Sequence, residues 1–265
     1  MTNRTELEDR AMEWVQTMLN SDMEPEFKEI IEDVETENVS DAEGVYALAR
    51  HLAFYNEARP VPPQAAGFVL WAFRLAIQEE NGEAMLNLGV LYYTGRLGEQ
   101  NFAKAVKYYK MAYAHGEWFA CQNLGYCYYY GRSVEVDYAR AYHYFVKTAL
   151  KGFTESLYKL GDMYAKGLYV EQDRQLAYTL YQRAYDEMDE TCDVFADVCL
   201  RLANAYYDGV GTKRDWSLAL RYYQMAESSF YDQIAAGDFF KKKVLRGVID
   251  KIDLIRQHYN KELEL

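Results

Sequence analysis

Residues 84–116 read AMLNLGVLYYTGRLGEQNFAKAVKYYKMAYAHG, and the pattern of this stretch recurs along the chain. Its dipeptide Leu88-Gly89 returns three times at spacings of 36, 36 and 42 residues, as Leu124-Gly125, Leu160-Gly161 and Leu202-Ala203. A tyrosine stands three residues after each glycine or alanine, and a glycine stands six residues after it: Tyr92 and Gly95, Tyr128 and Gly131, Tyr164 and Gly167, Tyr206 and Gly209. Columns that stay in step over four copies predict a repeat architecture.

A second set of columns predicts a second helix in each copy. Asn or Asp precedes an amphipathic run at Asn101, Asp137, Asp173 and Asp215. Such side chains accept a hydrogen bond from free backbone N–H groups at a helix N-terminus. The glycine six residues after the anchor fits the left-handed residue that ends a first helix. Each copy is therefore predicted to be two antiparallel helices joined by a tight turn, and such pairs must stack to bury their apolar faces.

The predicted fold is an all-α solenoid of about five helix-turn-helix repeats, near residues 44–81, 82–116, 117–152, 153–188 and 190–230. The first copy is divergent, since it carries Leu48-Ala49 as its anchor and has prolines in the loop from Arg59 to Gln64. Residues 1–43 are expected to form an acidic N-terminal helical cap, with helices over 6–20 and 25–35. Residues 231–265 are expected to form a C-terminal capping helix with one apolar stripe: Phe240, Val244, Val248, Ile252, Ile255 and Tyr259.

Charge and composition restrict the class of partner. The net charge of the 265 residues is −12, and residues 1–60 alone hold 15 acidic and 5 basic side chains. This excess of negative charge disfavours binding to nucleic acid and to anionic membrane surfaces. Two interpretations of the acidic segment remain: a solvated acidic face, or a docking surface for a basic partner. No apolar run approaches the ~18 residues of a membrane span, and the start of the sequence lacks the pattern of a signal peptide. We expect a cytoplasmic protein with free thiols and no membrane insertion.

The sequence shows no pattern typical of catalysis. The four histidines occupy unrelated repeat positions, and no H-E-x-x-H or paired C-x-x-C motif occurs. Gly209-Val210-Gly211 lies at an inter-helix turn and does not form a phosphate-binding loop. Cys121 and Cys199 share one repeat position, where they are expected to act as small core residues. We therefore expect no enzyme, no metal and no cofactor.

The columns resemble the Sel-1-like repeat, a relative of the tetratricopeptide repeat, over residues 44–230. Its unit follows A-x-x-x-L-G-x-x-Y-x-x-G and then D-x-x-K-A-x-x-W-Y-x-K-A-A-x-x-G. The resemblance implies a right-handed superhelix whose first helices line a concave groove, and a role as an adaptor for protein partners. Leu176 and Leu218 depart from the usual Lys of the second helix. A secreted branch linked to β-lactam binding has a regular Cys pair in each repeat; this chain lacks those pairs, so a hydrolase of that type is the weakest alternative.

In such a groove, residues opposite the core face of each first helix would meet the partner, at about 100° per residue. The predicted partner-binding residues are Asn87, Val90, Thr94, Phe119, Asn123, Tyr126, Tyr130, Lys159, Asp162, Lys166, Arg201 and Asn204. They form an aromatic and amide row in the third repeat and a charged row in the later ones, which suits a peptide or a partner helix. Two alternatives remain: the N-terminal helices fold over the aromatic row, or the chain forms a homo-oligomer.

Overall fold

The computed structural model describes residues 4–32, 39, 41–56 and 59–263. These residues form thirteen helices and no strand, so the prediction of an all-α repeat solenoid is confirmed. The helices are α1 Arg4–Leu19, α2 Pro25–Glu32, α3 Ala42–Phe54, α4 Pro63–Gln78, α5 Gly82–Thr94, α6 Phe102–Ala114, α7 Trp118–Tyr130, α8 Tyr138–Ala149, α9 Thr154–Lys166, α10 Arg174–Glu187, α11 Phe195–Asp208, α12 Trp216–Ala235 and α13 Lys241–Leu263. The predicted continuation of α2 to residue 35 lies outside the described residues.

The chain forms two compact units, residues 1–136 and residues 137–265. In the first unit α3 packs against α4, and α5 packs against α6. In the second unit the corresponding pairs are α9 with α10 and α11 with α12, and α13 covers α12. We call α3, α5, α7, α9 and α11 the first helices of the repeats.

The predicted helix ends are confirmed. Gly95, Gly131, Gly167 and Gly209 end the first helices with φ values of 68° to 75°. A residue with a Cβ rarely adopts this left-handed backbone, which explains the glycine column. At the start of the second helices, the side chains of Asn101, Asp137, Asp173 and Asp215 accept backbone N–H groups at 2.8–3.0 Å.

The Leu-Gly anchor places two helices in close contact. A Cβ built on Gly89 would lie 2.7 Å from the ring of Tyr109, and one on Gly161 would lie 2.5 Å from the ring of Tyr181. Both tyrosines come from the second helix of the same repeat and are buried. The glycine therefore provides the space that the aromatic column fills, and dense packing leaves no room for a larger side chain.

One part of the C-terminal prediction is wrong. Helix α13 packs through Leu245, Val248, Ile252 and Ile255, whereas Phe240 and Val244 are exposed. The helix begins at Lys241, so Phe240 lies in the preceding turn and is not part of the helical stripe. The face of α13 toward α12 thus begins about one turn later than the spacing predicted.

Candidate protein-binding surfaces of the first helices

In the first unit, Asn87 and Val90 line a concave surface between α3 and α5. Its volume is about 830 Å³, and its other lining residues are Ala47, Arg50, His51, Phe54, Tyr55 and Glu83. Arg50 and Glu83 form an ion pair at 2.8 Å, with both side chains about half exposed. This pair joins neighbouring first helices at the edge of the concave surface, where solvent screening makes its own contribution to stability small.

The amide of Asn87 is held in place from two sides. Its Nδ2 donates to the Tyr46 hydroxyl at 3.0 Å and to Glu83 Oε1 at 3.4 Å. Burial raises the pKa of Tyr46 to about 12, although the hydrogen bond from Asn87 acts in the opposite direction. Among the described residues, the Asn87 amide oxygen has no hydrogen-bond partner, so it can accept an N–H from a bound chain.

Helix α7 carries the predicted aromatic row. Phe119 and Tyr130 are exposed over 60% and 48% of their surfaces, and Asn123 and Tyr126 are partly buried. The rings of Tyr126 and Tyr130 stack nearly in parallel, with centroids 6.3 Å apart. Aromatic side chains contribute a large contact area at a small cost in conformational entropy. Thr94 is also exposed, and its hydroxyl donates to the Val90 carbonyl.

The N-terminal helix α1 packs on a second helix of the first unit. The ring of Trp14 lies 6.4 Å from that of Phe68 in α4. The guanidinium of Arg10 lies over the Trp71 ring at 5.1 Å. A Cβ on Gly67 would lie 2.8 Å from the Trp14 ring. Through these contacts of Trp14 and Arg10, α1 lies against α4.

In the second unit, four predicted residues line one pocket between α9, α10 and α11. Its volume is about 430 Å³, and the four residues are Asp162, Lys166, Arg201 and Asn204. The apolar part of the lining consists of Ala165, Ala177, Ala205, Tyr178, Tyr181 and Val210. Small alanines beside two tyrosines leave a cavity large enough for one or two side chains of a bound chain.

An ion network lies under this pocket. Asp162 accepts two hydrogen bonds from Arg201, each at 3.1 Å, and a third from the Tyr181 hydroxyl at 2.9 Å. Lys159 Nζ lies 4.0 Å from the same carboxylate. Arg201 and Lys241 both bind Asp197, at 3.3 and 2.6 Å, so the network runs from α9 through α11 to α13.

Burial and charge act against each other at Lys159 and Asp162. Burial lowers the pKa of Lys159 to about 8, and the nearby Asp162 only partly offsets this. Burial would raise the pKa of Asp162, but the charge and hydrogen bonds of Arg201 outweigh it, so the pKa of that carboxyl is lowered. Asp162 therefore stabilises the fold above the ordinary pKa of a carboxyl, and this contribution is lost as the pH falls through its lowered folded-state pKa.

Lys159 and Asp162, which were expected to face the groove, are instead each only 3% exposed. For Asp162, the reason is a contact between neighbouring first helices. Arg201 of α11 extends across Asp162 of α9, and Tyr181 reaches the same carboxylate from α10. The charges of Asp162 and Arg201 thus largely satisfy each other.

The charged groups at the rim of the pocket are more accessible to a bound chain than Lys159 and Asp162 are. Lys166, Arg174 and Asp208 are exposed, and neither of the two cations forms an ion pair with a described residue. The Asn204 amide oxygen accepts the Tyr223 hydroxyl at 2.7 Å, which fixes the amide and leaves its N–H groups as donors. Sequence reasoning missed Arg174 and Tyr178, because both belong to a second helix.

The described part of the chain contains no group of three or more His, Cys, Asp or Glu side chains that could hold a metal ion. Cys121 and Cys199 are buried, as predicted for that repeat column. Within the same residues, none of the helices has the length and apolar character that crossing a membrane requires.

Comparison with known proteins identifies the repeat. The profile of the Sel1 repeat matches residues 82–117, 118–153, 154–187 and 196–228, together just over half of the chain. The pair α3 and α4 lies outside these matches. No curated protein matches the sequence.

Two solved structures share the fold. One is c5321, described as a protective antigen present in uropathogenic Escherichia coli strains displaying an SLR fold; it is 20% identical, with a TM-score of 0.58. The match covers 99% of this chain and 58% of the length of c5321. The other is a Sel1 repeat protein from Oxalobacter formigenes, 18% identical over 97% of this chain and 100% of that one, with a TM-score of 0.59. At these identities the likeness concerns the fold alone, whereas the four profile matches show that the chain belongs to the Sel1 repeat family.

Proposed function

We propose that this protein is a non-catalytic binding module that holds a peptide segment of a protein partner on its first helices. The observation that carries the proposal is the pocket of about 430 Å³ in the second unit, lined by four of the residues predicted for partner binding. The adaptor role general to Sel1 repeat proteins supports it. The buried thiols of Cys121, Cys127 and Cys199 are consistent with a cytoplasmic setting, which is part of the proposal.

The lining of the pocket favours an acidic peptide with an apolar anchor. The alanine and tyrosine surface accepts an apolar side chain. Asp162 is neutralised by Arg201 and Lys159, so the rim charges that pair with no described residue are those of Lys166, Arg174 and Asp208. Two cations against one carboxylate favour an acidic flanking residue, and the Asn204 N–H groups can donate to a peptide carbonyl.

A pocket-filling variant tests this proposal. A displayed peptide library is selected on the wild-type protein and on Ala165→Trp, whose indole would occupy the cavity. We expect the wild type to enrich peptides with an apolar residue next to acidic ones, and Ala165→Trp to lose them. Thr179→Trp, on an exposed position of α10, is the matched control and should retain the enrichment. Equal enrichment on all three proteins would refute the pocket as the site.

The aromatic row of α7 is proposed as a second contact surface, because Phe119 and Tyr130 are exposed on a helix that packs through other residues. In a separate selection, the wild type should enrich peptides that bind this row, and combined replacement of Asn123, Tyr126 and Tyr130 by Ala should weaken their binding without loss of helical content. Light scattering at several concentrations separates this role from self-association, since a homo-oligomer would grow with concentration and shrink in the triple variant. Unchanged affinity for these peptides in a folded triple variant would rule out α7 as a contact surface.

A further inference from the structure

The turn between α12 and α13 presents two adjacent phenylalanines to solvent. Phe239 and Phe240 are 63% and 94% exposed. The turn is ordered by hydrogen bonds from the Gly237 N–H to the Ile234 carbonyl and from the Phe240 N–H to the Asp238 carboxylate. A Cβ on Gly237 would meet no atom within 4 Å, so the space beside this glycine is open.

Exposed cations follow the two phenylalanines along the chain. Lys242 and Lys243 are exposed, and Lys242 Nζ lies 4.5 Å from the Phe239 ring centroid. Arg246 is exposed one turn further along α13. Asp238 is the one acidic residue of the stretch 236–247, and its carboxylate caps the turn. We name the set Phe239, Phe240, Lys242, Lys243 and Arg246 the aromatic-basic tip.

The packing of α13 on α12 does not depend on Phe239 and Phe240. Helix α13 already covers α12 through Leu245, Val248, Ile252 and Ile255, all buried. Single exposed apolar residues are common, but two adjacent exposed aromatic residues beside three exposed cations that form no ion pair with a described residue indicate a binding surface. The tip exposes its rings on a turn and its cations along the first turns of α13, so a deformable surface that meets both fits it better than an extended peptide.

We propose that the aromatic-basic tip docks on an anionic lipid bilayer, independently of the peptide-binding function. The phenylalanine rings would enter the boundary between headgroups and acyl chains, while Lys242, Lys243 and Arg246 contact the headgroups. The net charge of −12 opposes approach over long distances. Screening limits that repulsion to about 10 Å at 0.1 M salt, whereas the cations of the tip act in direct contact.

Vesicle sedimentation with the full chain tests the proposal. Vesicles of phosphatidylcholine with one quarter phosphatidylserine are compared with pure phosphatidylcholine at 0.1 M salt. We expect the anionic vesicles to bind at least about tenfold more tightly, since each cation near the surface adds about fivefold. Phe239→Ser with Phe240→Ser, and separately Lys242→Glu with Lys243→Glu, should each reduce binding about tenfold or more.

Two control variants keep the test specific. Leu150→Ser removes an exposed apolar residue at the end of another helix, and Lys107→Glu with Lys110→Glu reverses two exposed cations of α6. Both should bind vesicles like the wild type. Absence of binding by the wild type, or equal binding by folded tip variants, would overturn the proposal. Tip-dependent binding of soluble poly-glutamate without vesicle binding would overturn it too, and would assign the tip to an acidic protein.

Discussion

Replacement of Gly161 by Ala tests the contact on which each repeat depends. The new Cβ would lie 2.5 Å from Tyr181 Cε1 and 2.8 Å from Cδ1, so the ring must move. The ring is buried, and its hydroxyl donates to Asp162 at 2.9 Å. A shift that relieves the clash therefore also strains the hydrogen bond to a buried carboxylate.

The expected loss in free energy of unfolding follows from three contributions. Overpacking of a core costs about 1–3 kcal/mol. Weakening a hydrogen bond to a charged group costs up to about 1.5–3 kcal/mol. Alanine gains about 1 kcal/mol over glycine within a helix. We expect Gly161→Ala to be destabilised by about 2–4 kcal/mol. Gly89→Ala meets Tyr109 at a similar distance but strains no such hydrogen bond, so overpacking less the helix-propensity gain leaves a loss of about 0–2 kcal/mol.

Urea denaturation followed by far-ultraviolet circular dichroism measures both variants. Because repeat arrays can unfold in steps, tyrosine fluorescence should be recorded in parallel. The fifth repeat supplies the control, since Ala203 occupies the same column and packs in one core cluster with Tyr223. Ala203→Gly should cost about 1 kcal/mol through helix propensity. If Gly161→Ala unfolds at the wild-type urea concentration or above it, close approach does not explain the glycine column.

Three further predictions concern stability. Because folding lowers the pKa of Lys159 to about 8, the unfolded chain keeps this proton up to a higher pH than the folded chain does. The free energy of unfolding should therefore rise by about 2–3 kcal/mol from pH 8 to about 10. Urea denaturation midpoints should show this rise in the wild type but not in Lys159→Met. Thr148→Val should lower the free energy of unfolding by about 1–3 kcal/mol, because the buried Ser156 hydroxyl loses its hydrogen-bond partner at 2.7 Å. In a double-mutant cycle, Ser156→Ala should cost less in the Thr148→Val background than in the wild type. Asp215→Ala should cost about 1 kcal/mol through loss of the cap on the Leu218 N–H, with a lower thermal midpoint.

The sequence predicted features that depend on local rules. Gly95 ends its helix because only glycine easily adopts that backbone, and Asn101 begins the next helix because its side chain caps it. Repetition of both columns located the helix pairs to within a few residues. The periodic spacing of α13 located its buried stripe but extended it too far, since spacing alone does not show that Phe240 precedes the helix.

The burial of Asp162 could not be predicted from the face of its own helix. Its environment depends on Arg201, 39 residues later in the chain, and on the reach of a long side chain between neighbouring helices. A helical wheel gives the direction of a side chain but not what covers it. The same limit applies to Asn87, whose amide is fixed by Tyr46 of the preceding first helix.

The contacts between neighbouring first helices determine which of their polar groups could contact a partner. Where residues of adjacent first helices pair with each other, as Arg201 does with Asp162 and Arg50 with Glu83, their charges contribute little to recognition. The paired side chains instead hold neighbouring polar groups in one conformation. Those groups would then lose little conformational entropy when a chain binds, which reduces the cost of binding. In the binding function proposed above, recognition would depend on groups that form no lateral pair with a described residue: the Asn87 oxygen, the Asn204 N–H groups and the rim cations. The repeat fold thus supplies the scaffold, and differences between copies at a few positions supply the chemistry of each surface.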